Sequence, residues 1–102
     1  MFVACSTMCF GRHPLEEALR IIAGLHFSKF DIALYEHGRH LKPSEVVADI
    51  NAAAARLRHG PGLTPIAFTV EQDAPSVEEH DRQFKAICRL ARLSAVPLIT
   101  VK

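Results

Sequence analysis

The chain has 102 residues, 49% of them hydrophobic and 23% charged, with a net charge of +1 at pH 7. That balance describes one ordinary globular unit and excludes a disordered or fibrous chain. Lys and Arg are scattered with no basic stripe interleaved with aromatics, so nucleic acid is not an expected partner. No apolar run approaches the roughly 20 residues that cross a bilayer, and MFVACSTMCFGR has no basic segment ahead of its apolar residues, so neither membrane nor export is expected and a cytoplasmic location is.

Short apolar runs alternate with longer stretches of helical period. Phe2-Val-Ala-Cys5 reads as a strand. The odd set of Cys5, Cys9 and Cys88, without a secretory signal, reads as three buried or half-buried free thiols. Pro14 suits the first turn of a helix, and Glu16 and Glu17 suit its positive end. Leu15, Ala18, Leu19, Ile22 and Ala23 then recur on one helical face. Phe30 to Leu34 is a second strand. Pro43 opens a second helix that carries Val46, Ile50, Ala53, Ala54 and Leu57 inward, and Gly60-Pro61-Gly62 stops it. Pro65 to Val70 is a third strand. Ser76 and Glu79 form a capping-box pattern ahead of a third helix with Phe84, Ile87, Cys88 and Ala91 on its apolar face. Pro97 to Val101 is a fourth strand.

The order is α/β, β-α-β-α-β-α-β, with parallel strands and right-handed crossovers, and no linker divides the single domain spanning 1–102. An open doubly wound sheet and half of a (β/α)8 TIM barrel share this order. The strand faces favour the half-barrel. Phe30, Ile32 and Leu34 oppose Asp31 and Ala33, and Ile66, Phe68 and Val70 oppose Ala67 and Thr69. A sheet covered on both faces is bulky and apolar on both. A closed barrel takes about 250 residues, so the chain is expected to be a truncated barrel or to pair with another half.

The segments ACSTMCFGRHPLEEAL, FSKFDIAL, HGRHLKPSEV and FKAICRLARLSAVPLITV together resemble the xylose-isomerase-like TIM barrels, the sugar phosphate isomerases/epimerases and their type IV apurinic endonuclease relatives, over nearly the whole chain. The resemblance implies a metal-dependent enzyme, using Mg, Mn or Zn, that isomerises or epimerises a sugar or sugar phosphate by proton transfer beside a carbonyl. It also implies that the metal ligands lie on strands five to eight. This chain alone is then expected to bind no metal and to show little or no turnover. Strand three ends Thr69-Val70-Glu71 without a histidine, which disfavours the endonuclease branch.

Active sites of such barrels lie at the carboxyl ends of the strands. That singles out Ser6 and Thr7, the segment Tyr35-Glu36-His37-Gly38-Arg39-His40, Glu71 with Asp73, and Lys102. Glu36, His37 and Glu71 are the expected substrate-binding residues. Imidazoles and a carboxylate in one loop suit proton relay or a cation, and Arg39 suits a phosphate, yet a solvated polar loop reads the same way. His37 and His40 lack helical i, i+4 spacing, so no metal site is assigned to them. Ser6 has no nucleophile elbow and reads as a small interior residue. Asp31, mid-strand, needs water, a partner strand or a metal-shell group. Met8 and Phe10 serve as a pocket wall or as packing. His13, His26, His59 and His80 fall at helix ends and surfaces and are given no role. The rival reading is a non-catalytic binding or self-assembling half-barrel, whose partner is a second copy in a homodimer or a C-terminal half.

Overall fold

A computed structural model describes residues 4–58 and 63–101. Its elements in chain order are β1 (Cys5–Ser6), a 3-10 turn (Thr7–Phe10), α1 (Leu15–Gly24), β2 (Lys29–Tyr35), α2 (Pro43–Ala48), α3 (Ile50–Leu57), β3 (Thr64–Glu71), α4 (Val77–Leu93) and β4 (Leu98–Val101). The strands form one four-stranded sheet in the order β1-β2-β3-β4, and every pair is parallel. The fold is therefore α/β with consecutive strands as neighbours. No helix among the described residues is long and apolar enough to cross a membrane.

Alternation along the strands decides what each face meets. Phe30, Ile32 and Leu34 of β2 and Phe68 and Val70 of β3 are fully buried. They join one cluster with Leu15, Leu19 and Ile22 of α1, Val46 of α2, Ala53, Ala54 and Leu57 of α3, and Ile87 and Leu90 of α4. All helical connections thus deliver their apolar stripes to the even-numbered face. The helices also touch each other. Arg56 of α3 reaches Glu16 of α1 at 3.1 Å and Glu45 of α2 at 3.5 Å.

The odd-numbered face differs. Asp31 and Thr69 are half-buried, and Ala33 and Ala67 are buried because a methyl is short beside its larger neighbours. In register with Ala67 and Thr69 stand Leu98 and Thr100 of β4, both exposed. Thr7 ties β1 down. Its hydroxyl, fully buried, accepts a 2.9 Å hydrogen bond from the Ala33 amide and so adds a rung to the β1–β2 ladder beyond Ser6.

Several expectations need correction. Helix two is two helices, because Asp49 turns extended (φ −159°, ψ 97°) and its carboxylate accepts from the Ala52 amide at 3.0 Å. An Asp at an N-cap satisfies a helix-end donor that the continuing helix would not need. Pro14 stands just before the first turn of α1, not in it, and Ala23 is exposed. On α4 the buried residues are Gln83, Ala86, Ile87, Leu90 and Ala91, with Phe84 and Cys88 half-buried. All three cysteines are free, but Cys9 is exposed. The Ser76 cap is present, its hydroxyl accepting from the Glu79 amide at 3.1 Å. Phe2, Val3, His59, Gly60-Pro61-Gly62 and Lys102 lie outside the described residues.

Candidate functional site

Carboxyl ends of parallel strands leave their loops on one rim, and a cavity among the described residues sits there. It measures about 490 Å³, within the range of small-molecule sites. Ala33 floors it. Tyr35, Glu36, His37, Gly38, Arg39 and His40 form one side, and Glu71, Gln72 and Asp73 the other, with Met8 and Gly11 from the loop after β1. All three expected substrate-binding residues, Glu36, His37 and Glu71, line this one cavity.

The turn after β2 sets the geometry. Its Gly38 amide donates to the Tyr35 carbonyl at 3.0 Å. A Cβ on Gly38 would stand 3.2 Å from the Tyr35 Cβ, so glycine keeps the turn tight. This carries Glu36 and His37 to the rim. His37 Nε2 meets Asp73 Oδ2 at 2.5 Å and joins the loop after β2 to the loop after β3, with both side chains largely exposed. The two loops also meet through the Glu36 amide, which donates to the Glu71 carbonyl at 3.3 Å.

Glu36 turns out to serve structure as well as the cavity. Its two oxygens accept from the Ser44 amide at 3.1 Å and the Ser44 hydroxyl at 2.6 Å. The carboxylate therefore sits in the first turn of α2, where orphan amides and the helix dipole favour a negative charge. Arg39 is likewise engaged, donating from Nη1 to the Arg12 carbonyl at 2.9 Å.

His40 does not join His37. It is buried, and its Nε2 meets the Phe10 carbonyl at 3.2 Å, which pins the loop after β2 to the loop after β1. Burial lowers its pKa, against opposing hydrogen bonds to the Phe10 and His13 backbone. The ring is a strut between loops, with Nε2–H donating to the Phe10 carbonyl. Among the described residues no group of three or more His, Cys, Asp or Glu side chains gathers as metal ligands.

Below the cavity, Asp31 holds its place by one partner. The Thr69 hydroxyl lies 3.0 Å from each of its oxygens. Burial raises the Asp31 pKa, and that hydrogen bond opposes the rise. Sequence reasoning missed Gln72, Gly11 and Ala33 as cavity residues. Gln72 carried a signal, since it directly follows the strand end at Glu71. Its amide nitrogen donates to the His80 carbonyl at 3.0 Å and to Gln83 at 3.1 Å, while its buried Oε1 has no partner. Ser6 is spent on a local turn, its hydroxyl accepting from the Met8 amide at 3.2 Å. Phe10 packs against the core and is not part of the cavity wall. Comparison with protein families, with curated proteins and with solved structures finds no match to this chain.

Proposed function

We propose that this chain is the ligand-walling half of a (β/α)8 barrel of the xylose-isomerase-like kind, and that it holds a sugar or sugar phosphate against Glu36, His37 and Glu71. The observation that carries the reading is the cavity at the carboxyl ends of β1, β2 and β3, three of the four parallel strands, where those three residues converge. Brim position is where (β/α)8 barrels work.

Strand order supports the half-barrel. A doubly wound sheet reverses its strand order at a switch point, and the order β1-β2-β3-β4 has no reversal. With right-handed crossovers, such an order keeps every helix on one face, in agreement with the single core cluster. The lining suits a polyhydroxylated ligand. Glu71 and the Glu36 carboxylate accept hydrogen bonds, Arg39 donates them, and Met8 and Tyr35 offer apolar surface to C–H faces. Isomerisation needs an ion and an acid/base pair around one carbon. The described residues supply His37 with Asp73 at the rim, and the role proposed for this chain is ligand binding.

The test is a 15N-edited NMR titration of the chain with a ketohexose and, separately, with its phosphate ester. Amide shifts are expected at Met8, His37, Gly38, Glu71 and Gln72, with a Kd of about 1 mM. Glu71→Ala should weaken binding by about five- to tenfold, the loss of one net hydrogen bond to a charged acceptor. Absence of saturable shifts with both ligands, or shifts confined to residues outside this cavity, would remove the proposal.

A further inference from the structure

We propose that Cys5 and Cys9 form a redox pair, which closes to a reversible disulfide in exchange with a low-molecular-weight disulfide and so braces the turn that carries Met8 into the cavity wall. The proposal goes beyond the sugar reading and does not depend on it.

The turn after β1 brings the two sulfurs together. Ser6 ends the strand in extended geometry (φ −80°, ψ 136°), and its hydroxyl accepts from the Met8 amide at the start of the 3-10 turn Thr7–Phe10. Such a turn comes round in about three residues. Cys9 is the third residue of this turn and returns toward the strand end that holds Cys5. The Cys9 thiol lies within hydrogen-bond reach of the Cys5 thiol. The Cys5 thiol also donates to the Ser6 carbonyl at 3.7 Å. Neither cysteine is in a disulfide.

Their environments differ, and the difference orders their roles. Cys9 is exposed, so an oxidant in solution meets it first. Cys5 is half-buried and packs against the core cluster. Burial raises the Cys5 pKa, and the neighbouring Cys9 adds to the rise. A shielded thiol beside an exposed one is placed to resolve what forms on the exposed sulfur. Cys9, as thiolate, attacks one sulfur of the small disulfide, whose S–S bond breaks and releases one thiolate. Cys5 then gives its proton to solvent and attacks the Cys9 Sγ. The mixed disulfide breaks and releases the second thiolate. The two released thiolates take up the two protons that the cysteines gave up. Two protein thiols are oxidised, and one small disulfide is reduced to two thiols.

A bond here acts on the cavity because Met8 lies between the two cysteines in the chain. Met8 lines the rim cavity and also the hollow beside Cys9, and so does Gly11. A short loop closed by a disulfide has fewer open conformations to visit. The turn between the sulfurs therefore opens less often once the bond is made.

Thiol mapping of the whole chain tests this, with oxidised glutathione as the small disulfide, a maleimide quench, and mass spectrometry of the chain and its peptides. Against about 0.1 mM reduced glutathione, a tethered thiol of about 1 mM effective concentration should favour the Cys5–Cys9 disulfide over the mixed disulfide by about tenfold. Cys88→Ser should give the same result. Cys5→Ser should leave Cys9 carrying glutathione. Cys9→Ser, at an exposed position, should leave Cys5 as a free thiol and keeps the proposal testable should Cys5→Ser fail to fold. Oxidation of wild type should slow hydrogen exchange at the Met8 amide by about tenfold, and dithiothreitol should restore the original rate. A wild-type chain that stays reduced or accumulates the mixed disulfide, a Cys9→Ser chain that still forms an internal disulfide, or a Met8 rate unchanged by oxidation would each overturn it. No sugar is present in these measurements, so the two proposals fail separately.

Discussion

Phe68→Ala is expected to destabilise the fold by about 3–5 kcal/mol, the cost of removing a fully buried ring that cannot be refilled. Phe68 is 0% exposed at the centre of β3, in register with Ile32 on one side and Ile99 on the other. It lies in the cluster that α1, α3 and α4 all enter, so no single helix can move inward to close the gap without leaving the others. Domains of this size hold only about 5–15 kcal/mol in total. Thermal unfolding should fall by more than about 10 °C, given about 4–8 °C per kcal/mol. Leu93→Ala is the control. That side chain is 61% exposed, and its loss should stay within about 0.5 kcal/mol. Equal effects from the two substitutions would mean that the even-numbered face is not the core.

The second large effect is expected from Thr7→Val. The change keeps the side-chain shape and removes the acceptor of the Ala33 amide. Both residues are buried, so the orphaned N–H meets no water. An unsatisfied buried donor costs about 1–3 kcal/mol. Among the described residues β1 places Cys5 and Ser6 in the ladder, and the Thr7 side chain extends that attachment to β2. The Ala33 amide should exchange with deuterium faster in Thr7→Val and return to its original rate in Thr7→Ser, which restores the acceptor. An unchanged Ala33 rate in Thr7→Val would remove Thr7 from the ladder.

Strand positions were legible because period-two alternation is a local property. Phe30, Ile32 and Leu34 announce a buried face, and Asp31 and Ala33 a different one, whatever the rest of the chain does. The break at Asp49 was not legible, because Val46, Ile50, Ala53 and Leu57 keep helical spacing straight through it. Only the local competition of an Asx cap with the continuing ladder decides that point. The cavity rim was readable from position, since loops that follow parallel strands share one end. Its internal wiring was not. His37 and Asp73 are 36 residues apart and meet only because β2 and β3 are neighbours. His40 shares the loop of His37, and burial against the Phe10 carbonyl takes it out of the cavity's chemistry. Glu36 read as a substrate-binding carboxylate, and its bonds to Ser44 at the start of α2 came only from the fold.

A physical thread links these results. The sheet is one-sided: among the described residues the helices bring their apolar stripes to the face of Phe30, Ile32 and Phe68, while Leu98 and Thr100 on the opposite face stay exposed. Paramagnetic relaxation by a soluble agent, read on methyl groups of dilute chain at neutral pH, tests this most directly. Methyls of Leu98 and Thr100 should relax strongly, while those of Ile32, Leu34 and Val70 stay protected. Equal protection of both sets would put cover on each side of the sheet and contradict the account.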